Sequence, residues 1–244
     1  MLTKDRAICL RTVDYSETSQ VVTLLCRLTG KIGAIAKGSR RAKSSFDGPL
    51  EVFSCGDVMF SQPAAGKLAT LAEFQQQPRF RALRTNLDSL NCAMLAAELV
   101  DAFTHEADAH PELFDVFEQF LTDLQQSASR PESIALLVLF ELALLQQGGI
   151  MPVFLACANC RRPYTPAWRQ IYFSSAANGL LCQDCEQAFP EKTRLSPLAA
   201  QTLNDLKSLP AAPESLLDDI EKLLIRHFRE LMHREPRMAR FVLR

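Results

Sequence analysis

The chain reads as an α+β protein of several domains: a five-stranded barrel, then an α-helical bundle, with a small cysteine module inserted into the bundle. Three observations predict this. The first eighty of its 244 residues are strand-like and turn-rich, the segments after Pro78 follow a helical period, and two C-x-x-C pairs stand between helices. With 48% apolar residues the chain has material for one large core or two smaller ones.

The strands come first. Arg6–Val13 and Gln20–Leu28 are rich in Ile, Val, Leu and Thr, and Thr29-Gly30-Lys31 turns the chain into Lys31–Lys37. A polar loop from Gly38 to Gly48 precedes a strand expected at Leu50–Phe60. A turn at Gln62-Pro63-Ala64-Ala65-Gly66 then leads to Lys67–Phe74. Five strands with one long basic loop suit an OB-fold; an SH3-like barrel is the rival that strand count leaves standing.

The helices follow. Leu87, Leu90, Met94 and Ala97 form the expected stripe of the first, with Leu95, Leu99 and Phe103 beside it. Pro111 opens a second, where Leu113, Phe114, Phe117, Phe120, Leu121 and Leu124 keep i, i+3, i+4 spacing. Pro131 opens a third, apolar on nearly all sides from Ile134 to Leu145 and stopped by Gly148-Gly149. Two more are expected at Ser196–Ser208 and Pro213–His233, the last burying Ile220, Leu223, Leu224, His227, Phe228 and Leu231. The expected domains are residues 1–80 (barrel), 81–150 with 190–244 (bundle) and 151–189 (insert).

Cys157, Cys160, Cys182 and Cys185 are the most chemically specific feature. Two C-x2-C knuckles separated by twenty-one residues, with Asn178-Gly179 to turn the chain, suit one tetrahedral zinc ion. Four thiolates leave no open position, so such a metal is structural. Unmetallated or redox-active cysteines are the other reading. Cys9, Cys26, Cys55 and Cys92 lie in apolar contexts as small buried residues. No signal peptide is read at the N-terminus, and the apolar run at 134–145 is too short to span a bilayer. A cytoplasmic protein with reduced cysteines is expected.

Charge is uneven. Residues 1–80 carry 11 Lys and Arg against 7 Asp and Glu, residues 81–150 carry 3 against 11, and residues 151–244 carry 13 against 10. Basic ends around an acidic middle suggest anion-binding regions at both ends. The sharpest is Lys37-Gly38-Ser39-Arg40-Arg41-Ala42-Lys43, followed by Phe46. Lys and Arg among small residues suit phosphate-backbone contact, against the alternative of a solvated loop. Phe46 reads as an anchor into the barrel before a base-stacking platform. A second stripe, Lys222, Arg226, Arg229 and His233, lies on the last helix, with Glu221 and Glu230 as partial neutralisers and Arg234, Arg237, Arg240 and Arg244 beyond. It is a contact for phosphate or an acidic peptide, or a charged surface. Arg161, Arg162 and Arg169 alternate with Tyr164 and Trp168, aromatics that suit the small core of the insert.

Catalytic constellations are scarce. No G-x-x-x-x-G-K-[ST] is present, which excludes a P-loop nucleotidase. His110-Pro111-Glu112 has the H-x-E form of zinc deaminases, but Ala156 and Leu181, not Pro, precede the cysteine pairs. Pro111 is better read as the first residue of a helix.

Several of these segments resemble the RecO family of bacterial DNA-repair proteins. They are Thr18–Ile32, the loop Ala36–Ser44 with its A-K-G-x-R-R-x-K-S pattern, Leu50–Phe53, and Phe140-Glu141-Leu142-Ala143-Leu144-Leu145 leading to Gly149, Pro152 and the first cysteine pair. The resemblance implies a non-enzymatic, nucleoid-associated protein of the RecF pathway of DNA recombination. Such a protein binds single- and double-stranded DNA, anneals complementary strands, contacts the C-terminal tail of the single-strand-binding protein SSB, and with RecR helps load RecA. It implies DNA contacts at Lys37, Arg40, Arg41 and Lys43, and one structural zinc on the four cysteines. It implies neither membrane nor small-molecule substrate. Lys222, Arg226 and Arg229 are the candidate site for the SSB tail, since residues 81–150 hold only Arg81, Arg84 and Arg130 as cations. Two other classes stand beside this: a zinc-ribbon transcriptional or partner-binding adaptor, and a metal-dependent enzyme using His110 or Glu112.

Overall fold

The computed structural model describes residues 2–41, 44–46, 48–61 and 67–243. Lys43, the turn expected at 62–66 and Arg244 lie outside the described residues. Two compact units emerge, one of residues 1–93 with 97–126, the other of 94–96 with 127–244.

In the first unit, β1 (Leu2–Asp14), β2 (Gln20–Cys26), β3 (Gly30–Ala36), β4 (Cys55–Ser61) and β5 (Ala69–Gln77) close a barrel in the order β1-β2-β3-β5-β4. All pairings are antiparallel except β3 with β5, which is parallel from Ala34↔Ala69 to Ala36↔Leu71. This is the OB-type barrel expected from the strand pattern. The 13-residue β1 serves both β2 and β4, and an irregularity in its pairing between Cys9 and Arg11 bends it around the closure. Alternate residues fill the interior: Ala7, Cys9, Val22, Leu24, Ile32, Ala34, Val58, Phe60, Leu71 and Phe74.

The strand expected at Leu50–Phe60 begins only at Cys55. Leu50 and Phe53 are apolar because both are buried, Leu50 in the barrel core, not because they alternate in a strand. Phe53 takes a left-handed φ of 68° inside a turn closed by Ser54 N–H donating to Glu51 O at 2.9 Å.

Helices α1 (Leu87–Phe103) and α2 (Pro111–Leu124) follow. The expected α1 stripe is corrected. Leu87 is 71% exposed, Leu90 and Met94 are half-buried, and the buried set is Cys92, Ala93, Leu95, Ala96, Ala97, Leu99 and Val100. Small residues flank the leucines, so the helix is covered on more than the one stripe that bulky side chains marked. In α2 every expected core residue is buried. Ion pairs tie both helices to the barrel: Lys31 to Asp101 at 3.1 Å, Arg27 to Asp115 at 2.8 Å, and Arg6 and Arg79 to Glu118 at 2.8 and 2.7 Å.

In the second unit, α3 (Arg130–Gln147) packs against α5 (Glu214–Met232), with α4 (Pro197–Asn204) and the short α6 (Ala239–Val242) alongside. The helix expected at Ser196–Ser208 is broken: α4 ends at Asn204, where Asp205 caps a 3-10 turn over Leu206–Ala211. Buried Arg130, at the start of α3, donates to Glu214 and Asp218 at 2.7 Å each and to Val242 O at 3.0 Å, locking the helix ends together. Strands β6 (Ile171–Ser174), β7 (Gly179–Cys182) and β8 (Thr193–Leu195) form a small sheet in the order β7-β6-β8 that carries the cysteine segment.

Candidate nucleic-acid interface and metal centre

The basic run leaves β3 at Ala36 and turns at Gly38, whose φ of 76° favours glycine. Arg41 N–H donates to Gly38 O at 3.0 Å, closing the turn. Ser39 points inward, fully buried, and its hydroxyl reaches Gln20 Oε1 at 3.0 Å. Buried Gln20 accepts from Leu50 N–H at 2.9 Å and donates to Leu50 O at 3.1 Å, pinning the far end of the loop. With the alternate small residue buried, Lys37, Arg40 and Arg41 project into solvent. Arg40 is held by Asp14 at 2.8 Å, and its N–H donates to Thr18 O at 3.2 Å. Lys37 and Arg41 have no ion-pair partner among the described residues. Phe46 is 2% exposed in the barrel core, an anchor as expected.

The four cysteines converge. Their sulfurs all lie within 4.8 Å of one another, with Cys160 and Cys182 at 3.8 Å. A tetrahedron of about 2.3 Å zinc–sulfur bonds sets its sulfurs about 3.8 Å apart, whereas a disulfide needs about 2 Å. Two knuckles and a hairpin build the site. Arg161, at a left-handed φ of 63°, donates its N–H to Cys157 O at 2.8 Å, and Cys185 N–H donates to Cys182 O at 3.0 Å. The β6–β7 hairpin turns at Asn178 (φ 52°), and Gly179 follows because a Cβ there would lie 2.5 Å from Val153 O. Trp168, Tyr172 and Phe189 pack on Cys157, Leu181 and Cys182, with Tyr164 edge-on to Trp168 at 5.6 Å.

The electrostatics call for a cation. Burial pushes the Cys182 thiol up to about 12, and its sulfur neighbours add to this. At Cys157 burial also opposes ionisation, but hydrogen bonds from the Cys160, Cys182 and Asn159 amides outweigh it and bring the thiol down to about 7. Cys182, raised by burial and by the sulfurs around it, is costly to ionise alone, a cost that a bound cation would offset. The donor set thus fits a soft or borderline divalent metal, with all four positions filled by protein. Cys9, Cys26, Cys55 and Cys92 are buried as expected and in no disulfide; desolvation raises the Cys9 thiol to about 12 and the Cys55 thiol to about 11.

On α5, Arg226 and Arg229 are exposed and Lys222 is half-buried. Glu230 pairs with Arg229 at 3.0 Å, as expected of a neutraliser. Glu221 does not act so: it is fully buried against Glu141 of α3, and desolvation pushes its carboxyl up to about 8 while Glu141 is raised well above the usual carboxylate range. Lys222 and Arg226 therefore lack an acidic partner among the described residues. Buried His227 stacks edge-on to Phe173 at 5.4 Å, and desolvation lowers it to about 4. His110 is the N-cap residue of α2 and Pro111 its first turn, the helix-start reading of that tripeptide. Sequence reasoning missed Glu118 and the facing Glu141–Glu221 pair, since nothing in a heptad pattern marks which acid turns inward.

The chain is thus of the class that joins an OB-type barrel bearing an exposed basic loop to helices and a small sheet carrying a four-thiol cluster fit to hold a metal. Residues 1–77 match the family described as Recombination protein O N terminal, and residues 84–238 match Recombination protein O C terminal. The chain is 36% identical over 202 residues to a DNA repair protein RecO of Anaeromyxobacter dehalogenans, covering 83% of this chain and 76% of the relative. It is 33% identical over 213 residues to one of Rhodopirellula baltica (87% and 77%) and 34% over 203 residues to one of Bacillus pumilus (83% and 76%). The chain belongs to the RecO family of DNA repair proteins.

Proposed function

We propose that this protein acts without catalysis: it binds single- and double-stranded DNA, anneals complementary strands, and with RecR helps load RecA onto SSB-coated DNA. The observation that carries this reading is the basic turn on the barrel, where burial of Ser39 and Phe46 forces Lys37, Arg40 and Arg41 outward. Annealing brings two polyanions together, and cations that release condensed counterions lower that repulsion. Lys37, Arg40, Arg41 and Lys43 are the proposed DNA contacts. The cysteine cluster holds one structural zinc that fixes the 151–189 insert. Residues 1–80 serve as the DNA-binding module, and residues 81–150 with 190–244 as the helical one. Among the described residues no helix is long and apolar enough to cross a membrane; a place in the cytoplasm on the nucleoid follows from the DNA-binding reading alone.

The test is annealing of SSB-coated complementary oligonucleotides by wild type and by Arg40→Ala plus Arg41→Ala across a salt series. Weaker annealing with a shallower salt dependence in the variant is expected. Absence of annealing by folded, metal-loaded wild type would turn the reading to a partner-binding adaptor.

The SSB tail is assigned to the basic stripe of α5, supported by Lys222 and Arg226, which have no acidic partner among the described residues, with Arg229 beside them. Arg226→Glu plus Arg229→Glu is expected to lose tail-peptide binding; undiminished affinity would sink the assignment.

A further inference from the structure

A second cationic site lies on the same unit as the barrel, away from the signature loop. After Phe46 the β3–β4 connection is strapped along β5. Ser45 donates to Ala72 O at 2.9 Å, Gln76 donates to Phe46 O at 2.6 Å, and Ser54 donates to Gln76 Oε1 at 2.7 Å. The strap ends in the turn holding Phe53 in its left-handed conformation. Between this turn and the segment leaving β5 lies a cleft of about 250 Å³, lined among others by Glu51, Phe53, Gln76, Arg79, Arg81 and Arg84.

The three arginines face different demands. Arg79 is committed to Glu118 at 2.7 Å. Arg84 lies across the cleft mouth, paired with Glu51 at 2.6 Å and reaching Val52 O at 3.4 Å. Arg81 is exposed with no hydrogen-bond or ion-pair partner among the described residues. Among the described residues the lining is therefore net cationic, and its one acid there, Glu51, is an exposed carboxylate that a stronger anion can displace. Phe53 and Phe80 are buried beneath it, so no ring is offered for base stacking, and the donors are forked guanidinium groups that match phosphate oxygens.

We propose that this cleft binds the sugar–phosphate backbone of single-stranded nucleic acid. Arg81 contacts one phosphate directly, and Arg84 contacts the next once that phosphate displaces Glu51. Both cationic sites belong to the barrel unit: the Lys37–Arg41 turn follows β3, and Glu51 and Phe53 precede β4. The inference rests on the DNA-binding reading above and adds to it a second set of contacts with an internal competitor. A strand held at two places is also held open for pairing, whereas a single basic loop gives only an anchor.

Glu51 makes the inference testable in both directions. The full-length, metal-loaded chain is titrated onto a fluorescein-labelled oligothymidylate across a salt series, comparing wild type, Arg81→Ala plus Arg84→Ala, Glu51→Gln, and Arg40→Ala plus Arg41→Ala. Each lost phosphate contact lowers the slope of log affinity against log salt by about 0.7. The cleft double variant is expected to lose about 1.4 in slope and at least about tenfold in affinity, while Glu51→Gln binds more tightly than wild type. Arg81, Arg84 and Glu51 are all exposed, so circular dichroism is expected to show folded variants. A slope unchanged in the cleft variant, but reduced in the loop variant, overturns the cleft and leaves the DNA-binding reading standing. No binding by wild type overturns both. An acidic peptide with a free carboxyl terminus is titrated in parallel. If the cleft variant loses the peptide and keeps the oligonucleotide slope, the cleft belongs to a protein partner and the inference fails.

Discussion

Replacing Glu221 with Gln is expected to stabilise the protein increasingly as pH rises, although the residue is fully buried. Glu221 of α5 and Glu141 of α3 are both inaccessible to solvent, and none of their oxygens makes a hydrogen bond of good geometry. Desolvation is the main cause that lifts Glu221 to about 8, with Asp218 adding to it and Glu141 and Arg130 opposing. Desolvation followed by Glu221 itself lifts Glu141. Because the folded value lies above the unfolded one, near 4.5, this contribution is complete below about pH 4.5 and is lost as pH rises through about 8. One pH unit in that window costs about 1.4 kcal/mol per group, so Glu221 alone withdraws up to about 4 kcal/mol between pH 5 and pH 8. The amide keeps the shape and cannot ionise. Urea denaturation of both proteins at pH 5, 6.5 and 8 measures this, and the difference between them cancels the contributions of His227 and the cysteines. The variant is expected to gain about 2–4 kcal/mol on wild type from pH 5 to pH 8. A constant difference across that range would refute the account of a buried pair held protonated by desolvation.

Three further outcomes follow from the geometry. One equivalent of zinc per chain is expected on metal analysis; Cys160→Ser is expected to lose it, and chelation to unfold the 151–189 segment first, read by Trp168 fluorescence. Glu118→Ala leaves Arg6 and Arg79 without their shared carboxylate. Because both arginines are more than a third exposed, a loss of only about 1–2 kcal/mol is expected in thermal or urea unfolding. His227 is held neutral by burial, its pKa lowered to about 4 from 6.5. Its contribution is present above about pH 6.5 and lost as pH falls through about 4, so His227→Phe is expected to flatten the acid limb of the stability curve.

The difference between legible and illegible parts is physical. The α2 core could be read outright because a solvent-facing helix with one covered face obliges its apolar residues to take helical spacing, and all six expected positions are buried. Helix α1 resists the same reading: Ala93, Ala96 and Ala97 are buried, yet alanine carries little hydrophobic signal, so Leu87 looked like core and is not. Leu50 and Phe53 misled for the opposite reason, since a loop residue buried ahead of β4 is as apolar as one in a strand.

By itself the sequence determined the order of modules, the barrel, the cysteine tetrad and the basic turn, because each rests on local chemistry: period, turn residues and ligand spacing. Only the tertiary structure decided that Ser39 turns in and throws its cationic neighbours out, and that Arg84 is held in check by Glu51 across a cleft. It also decided that Glu221 faces Glu141 rather than the basic stripe beside it. Those outcomes depend on which groups from distant segments meet, and on whether water reaches them.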